Sequence, residues 1–560
     1  MSNGGEATAR ARCDAQDGSR ARPQWKRIHS CPACRQDRPS PTHRRTPMMH
    51  GIDYLVVGSG SAGAALAARL SEDPARRVLL LEAGPDFATV AETPPDLLDG
   101  SAMSMDLHDW HFKAEITDRR RIIFPRGKVT GGSSAVGATI ALRGTPNNFD
   151  EWAELGNPAW AWDEVLPFYK RLEDDQDFDN EYHGKGGPIP IHRFTQDEMA
   201  PVQRVFHGAC LKAGFPDVED HNHPEATGVG PVPSNRQGSI RVSTAMGYLG
   251  EARGRENLEI RSGVQVNRVL FAGNRARGVE VANPGGGTEV IEAGTVVLAA
   301  GAVNSPAILM RSGIGPAGDL RRLGIDVVLD RPGVGADLID HPRTGAFMVP
   351  QEGSFNPEDA FLQTILRTTA PGSTEFNDLQ YYMINHFDLT LFPELQMLAA
   401  AKTIFGVMVV HQRPESRGRL TLTSADPTAP PDVVLNFLDT ERDIQTLVGA
   451  VRQCWQFMQT EGINDKGQRF VVLGEDMVAD DELMRHYVRL SLDSGYHPVG
   501  TARMGAAGDE GAVVDERLRV HGIEGLYVCD ASVMPSIVNC NTNLTSIMIG
   551  ERLADWLRQS

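Results

Sequence analysis

No run of apolar residues in this 560-residue chain is long enough to cross a bilayer. The fullest, such as Val296-Val297-Leu298-Ala299-Ala300, fall far short of the ~20 residues a membrane helix needs. A basic excess is missing as well. Lysine and arginine total 55 against 73 acidic residues, a formal charge of −18, so no general cationic surface exists for a phosphate backbone or an anionic lipid. Cysteine is sparse, and the seven are odd in number and scattered, which suits reduced thiols in a cytosol better than a disulfide framework. No internal repeat or low-complexity array interrupts the chain. The expectation is a cytoplasmic protein with no nucleic-acid partner and no integral membrane association.

Residues 1–47 lack aliphatic content and are rich in Arg, Pro, Ser and Gln, a composition that cannot bury a core and predicts a disordered extension. Cys31-Pro32-Ala33-Cys34 has no second pair at zinc-knuckle spacing, so no metal site is assigned. Met48 or Met49, just ahead of the first strand, offers an alternative start. The remainder, with an overall hydrophobic fraction of 41%, has material for two to four domain-sized units.

What is present begins at Gly58-Ser59-Gly60-Ser61-Ala62-Gly63. The apolar run Tyr54-Leu55-Val56-Val57 precedes it, a small-residue helix from Ala64 to Leu70 follows, and Val78-Leu79-Leu80-Leu81 ends in Glu82. Strand, turn, helix, strand and terminal acid form a βαβ dinucleotide clamp. Gly58, Gly60 and Gly63 permit a tight turn and close approach of backbone to a pyrophosphate; the helix amides from Ser61 onward face it, and Glu82 is placed for a ribose diol. A second glycine and hydroxyl segment, Gly127-Lys128-Val129-Thr130-Gly131-Gly132-Ser133-Ser134, runs into Ala135 to Ala141, read as another small-residue helix.

From Phe149 to about Gly230 short amphipathic helices alternate with Pro- and Gly-rich loops, as in an inserted region. Strand patterns resume at Leu258, Val264 and Gly278, and Thr295 to Ala300 reads as a buried strand entering a glycine turn. Residues ~343–495 carry mixed strand and helix patterns without a phosphate-type loop. A strand at Gly525 to Cys529 and a helix from Asn543 to about Leu557 close the chain.

Beside the clamp and the Gly127–Ser134 segment stand three further motifs: Gly301-Ala302-Val303-Asn304-Ser305-Pro306 running to Gly315, Gly333-Val334-Gly335 with Asp340-His341-Pro342, and His497-Pro498-Val499-Gly500-Thr501-Ala502-Arg503-Met504-Gly505. The last is completed by Asp530-Ala531-Ser532-Val533-Met534-Pro535 and Asn541-Thr542-Asn543. Together these segments resemble the glucose-methanol-choline (GMC) family of FAD-dependent oxidoreductases. The resemblance implies an α/β fold: a discontinuous Rossmann-like FAD-binding domain, residues 48–154, 231–342 and 497–560, with an inserted α+β substrate-binding domain of antiparallel sheet and helices, residues 155–230 and 343–496.

It also implies site residues. His497 falls at the family's active-site histidine and Asn541 where members have a second histidine or an asparagine. Gly127, Gly131, Gly132 and Ser133 join the clamp around FAD; Asp530, Ala531, Asn541 and Thr542 run past it, and Val266 lies on the strand that meets adenine. The expected reaction is oxidation of an alcohol to an aldehyde or ketone, with hydride passing to flavin N5 and His497 as the base. An imidazole, with its ordinary pKa near ~6.5, is suited to take the hydroxyl proton. Asn541 cannot serve as a base and orients the substrate oxygen. His341 and His411 rank below His497, one lying in a cofactor-loop pattern and the other in the inserted domain.

Two departures stand out. Gly137 occupies a position where many relatives have Asn or His, and Thr130 replaces an aliphatic residue. Val136 stands where covalently flavinylated relatives have histidine, so FAD is expected to be non-covalent. The electron acceptor, whether oxygen, a quinone or a partner protein, is not encoded in these motifs. The acidic balance points toward cationic or polyhydroxylated alcohols. A GMC-type lyase and a non-catalytic dinucleotide-binding protein stay open as alternatives.

Overall fold

The computed structural model describes residues 51–118, 120–282, 286–356 and 358–559. The N-terminal extension, the Cys31/Cys34 pair and Met48/Met49 lie outside the described residues.

Two seven-stranded sheets organise the molecule. In the first, Leu258–Arg261, Val78–Leu81, Ile52–Val57 and Thr288–Leu298 lie side by side in parallel, and Leu526–Val528 adds to the end of the last strand. Val78–Leu81 is buried along its whole length, as the uninterrupted apolar sequence of a covered parallel strand requires. The long strand Thr288–Leu298 has two partners in succession. Its first half pairs antiparallel with Arg275–Ala282, and its second half takes up the parallel sheet and leads into the helix Gly301–Arg311.

Helix Ser61–Leu70 packs on the final helix, Asn543–Gln559. The crossing is close because residue 550 is glycine: a Cβ there would lie 2.4 Å from the Ala62 carbonyl oxygen. Ser61 Oγ donates to Asn543 Oδ1 at 2.8 Å and ties the starts of the two helices together.

The second sheet is antiparallel, in the order Gly467–Phe470, Pro342–Pro350, Thr403–His411, Leu379–Asp388, Thr364–Thr368 and Gly228–Pro231, with Asp493–Ser494 also paired to Pro342–Pro350. Helix Glu441–Met458 covers one face through Leu447, Val451, Cys454 and Phe457, all buried; the Thr440 side chain caps its start by accepting from the Asp443 amide. Alternation along a strand sends neighbours to opposite faces. Tyr381 meets Phe457 of that helix, while the adjacent Tyr382 turns to the cavity between the sheets. A smaller four-stranded sheet joins Phe112–Thr117 and Arg120–Phe124 to Arg419–Thr421 and Asp432–Val434, linking segments far apart in the chain.

One expected element is shorter than its sequence suggests. The helix read from Ala135 to Ala141 spans only Ser133–Val136. Gly137 is extended, and Thr139 adopts φ 59°, bringing Ile140 beside Ser234. The buried Arg241 guanidinium collects the carbonyls of Leu97, Ala135 and Gly137 and so holds the chain where the helix stops.

Candidate active site

A cavity of about 620 Å³ opens between the two sheets. At one end it is floored by the clamp. Gly58, Gly60, Ser61 and Glu82 line it, as do Gly127, Gly132 and Ser133 of the second glycine segment, and Val266. Gly63 and Gly131 do not line it. They shape the backbone behind: a Cβ on Gly63 would meet the Gly58 carbonyl oxygen at 2.0 Å, and Gly131, at φ 95°, donates its amide to Ser59 O at 2.9 Å. That bond locks the two glycine segments together. Gly132, at φ 51°, leaves no room for a side chain, since a Cβ would stand 2.7 Å from Gly60 Cα.

Three helices of eight or more residues, beginning at Ser61, Gly301 and Asn543, start at this cavity. The first two have no side-chain cap, and helix starts present unpaired amides and positive dipole ends. Glycine-only backbone and convergent helix starts form a cradle that fits the diphosphate of FAD. Glu82, buried, accepts from the Ser59 amide and hydroxyl at 3.1 and 2.7 Å and from the Gly84 amide at 2.8 Å; burial raises its pKa against those bonds. Asp530 is held similarly by Gly301 N, Ser305 Oγ and Ser532, and lines the cavity with Ala531, Asn541 and Thr542.

His497 lies at the other end, where the second sheet closes over. Its Nδ1 faces His341 Nδ1 at 3.0 Å, and its Nε2 faces Asn541 Nδ2 at 3.0 Å. The outer contacts settle the protons. Val538 O, an acceptor only, stands 3.1 Å from His341 Nε2, so that nitrogen carries hydrogen and His341 Nδ1 accepts. His497 therefore donates from Nδ1, and its Nε2 keeps a lone pair. Asn541 turns its amide nitrogen to that lone pair because Oδ1 already accepts from Tyr382 OH at 3.0 Å and Gln380 Nε2 at 3.3 Å. Asp340 fixes the backbone of both histidines through its Oδ1, which accepts from their amides at 2.7 and 2.8 Å.

Burial pushes the His497 pKa down to about 3, helped by the Arg126 and Arg343 guanidiniums. Burial and the adjacent His497 and His411 hold His341 well below its ordinary value. Both rings are neutral near pH 7. Asp340, buried despite its Ser494 hydrogen bond, is raised to about 6.

His341, Gln380, Arg126 and Arg343 were not singled out by the sequence as site residues. A signal for the histidine pair existed in Gly495, where a Cβ would come within 3.0 Å of His497 Nδ1 and 3.1 Å of His341 Cβ. His411 does not line the cavity; it packs against Asp443 and Asp378 O.

A dinucleotide cradle at one end and, at the other, a neutral imidazole whose Nε2 lone pair meets only the Asn541 amide define a flavin-dependent oxidoreductase architecture. Models of the GMC oxidoreductase family match residues 52–343 and 414–550, and the chain belongs to that FAD-dependent family. It is 37% identical over 505 residues to a Rhodococcus erythropolis protein described as an uncharacterized GMC-type oxidoreductase, with 89% of this chain and 97% of that one covered. It is 37% identical over 537 residues to an oxygen-dependent choline dehydrogenase of Rhizobium etli, covering 90% and 95% of the two chains. Among solved structures, pyridoxine 4-oxidase from Mesorbium loti superposes with a TM-score of 0.84 at 31% identity, covering 91% of this chain and 100% of that one.

Proposed function

We propose that the protein oxidises an alcohol to an aldehyde or ketone, with His497 Nε2 taking the hydroxyl proton and Asn541 holding the substrate oxygen. The observation that carries this reading is the relay Val538 O, His341, His497, Asn541, which leaves Nε2 as the unprotonated nitrogen of His497, on the cavity side. The names of similar proteins, choline dehydrogenase and pyridoxine 4-oxidase, support an alcohol as donor.

FAD, when bound, supplies the ring that accepts the hydride. The protein supplies the rest. Asn541 shares Nδ2 between His497 and an incoming hydroxyl, and Tyr382 with Gln380 keeps that amide from turning. An imidazole whose charged form is disfavoured by burial takes the proton only as the C–H bond is breaking. The two transfers are thus expected in one step. Clamp residues Gly58, Gly60, Ser61, Gly63 and Glu82, the segment Gly127, Gly131, Gly132 and Ser133, together with Val266, Asp530, Ala531, Asn541 and Thr542, hold the cofactor in this reading. Residues 48–154, 231–342 and 497–560 serve as its domain, and residues 155–230 and 343–496 cover the substrate.

The test is anaerobic flavin bleaching over a panel of alcohols, followed by readmission of air to assess oxygen as acceptor. His497→Ala is expected to slow bleaching by a hundredfold or more, in line with the roughly 10²–10⁴-fold worth of a positioned base, while retaining FAD. An unchanged rate removes His497 from this role.

A further inference from the structure

Resting on the alcohol-oxidising reading, we propose that the substrate end of the cavity selects neutral and acid-bearing alcohols over cationic ones, and that Arg126 and Arg343 impose the selection.

The local charge is opposite to that of the whole molecule. Although the chain carries −18 overall, the only carboxylates among the described residues lining the cavity are Glu82 and Asp530. Both are engaged by hydroxyls and amides at the dinucleotide end. No acid faces the cavity beside His497. Two guanidiniums do, and both act on the His497 ring.

Arg126 has carbonyls for partners. Its Nη2 donates to Tyr496 O at 2.6 Å and its Nε to Pro125 O at 2.5 Å; the carboxylates that act on it, Asp340 and Asp109, lie outside the cavity lining. Arg343 pairs with Asp493 Oδ2 at 2.5 Å, but Asp493 stands behind it and does not line the cavity. Approaching from inside, a ligand meets the cation first.

Two of the aromatic rings lining the cavity, Trp110 and Tyr496, already carry a cation of the protein. Lys128 Nζ lies 4.5 Å from the Trp110 ring centroid, and the Arg343 guanidinium 4.7 Å from that of Tyr496, so a quaternary ammonium approaching either ring meets a like charge. The remaining walls near this end include Phe361, Leu362, Met408 and Val410, surfaces for an uncharged carbon frame. The cationic preference expected from the acidic composition is thereby reversed.

The experiment compares shape-matched alcohols on purified holoenzyme by anaerobic stopped-flow. Choline is set against 3,3-dimethylbutan-1-ol, which replaces nitrogen by carbon, and 4-(aminomethyl)benzyl alcohol against benzyl alcohol and 4-(hydroxymethyl)benzoate. The neutral or anionic member is expected to exceed the cationic one at least tenfold in the second-order bleaching constant. Equal or better use of the cations overturns the proposal. For an alcohol too slow to bleach, the same ratio is read from the binding constant given by the shift of the oxidised flavin spectrum. Arg343→Gln and Arg126→Gln, each checked for retained FAD absorbance, are expected to narrow the ratio at least threefold. A ratio unchanged in both removes the arginines as its cause. If His497→Ala bleaches at the wild-type rate while the charge ranking persists, the base assignment fails and the selectivity stands.

Discussion

His341 and His497 meet through their Nδ1 atoms at 3.0 Å, and this contact determines which nitrogen of His497 is free to accept a proton. In the proposed reaction His341 is a positioning residue: it touches His497, and its own Nε2 is anchored on Val538 O. In His341→Phe the Nδ1–H of His497 loses its acceptor inside a buried site, an error of about 1–3 kcal/mol. Flavin reduction is expected to fall by about 10- to 100-fold through kcat more than KM, with FAD retained. His341→Asn, able both to donate and to accept, is expected to recover part of the rate, whereas a purely space-filling role predicts no such difference.

The neutral pair makes the fold sensitive to acid. His341 and His497 have folded pKa values below the ordinary one, so between pH ~6.5 and the folded value of about 3 for His497 the unfolded chain binds protons that the native state refuses. Stability is therefore expected to fall as pH drops through this window. Thermal unfolding from pH 7 to 4 should show a steeper decline for wild type than for His497→Gln.

His183 behaves in the opposite sense. It is buried among Glu173, Asp175 and Asp220, with Arg143 and Arg193 bound to the same carboxylates, an ion network and not an open cation site. Burial alone lowers its pKa, but the hydrogen bonds it donates to Asp175, Asp220 and Glu173 raise it to about 10. The stabilisation is fully present below the unfolded value near ~6.5 and is lost as pH rises through about 10. The melting temperature of wild type is expected to decline between pH 7 and 10 more steeply than that of His183→Gln.

Gly132→Ala tests the junction of the two glycine segments. With φ at 51° and a Cβ 2.7 Å from Gly60 Cα, the turns must part. A cost of about 1–3 kcal/mol is typical of such overpacking, and the variant is expected to be purified colourless with a lowered melting temperature.

Cavity chemistry near Val136 bears on attachment of the cofactor. Val136 lines the cavity and offers no nucleophile. Acid precipitation is expected to release FAD to the supernatant and leave a white pellet; a yellow pellet refutes non-covalent binding.

The clamp was legible because its determinants are local: glycine at the turn, small residues on the helix, continuous aliphatics in Val78–Leu81 and an acid at the end. His497 was legible through its surrounding motif. The His341 contact was not, since it joins residues 156 apart through a crossing of strand ends. Arg343 was equally hidden: which face it occupies depends on strand register, with Arg343 opposite Val410, both lining the cavity. The early end of the helix at Val136 depends on Arg241, a residue more than a hundred positions away that captures its carbonyls. Local pattern specified the elements, and long-range polar contacts specified the site.

The clasp between Ser61 and Asn543, with Gly550 seated on Ala62, has a consequence for biosynthesis. The two sides of the proposed cofactor cradle come from segments 482 positions apart, so a nascent polypeptide not yet extended to Asn541 has only one of them. A chain truncated before Asn541 is accordingly expected to be recovered without flavin, however well the early βαβ unit folds.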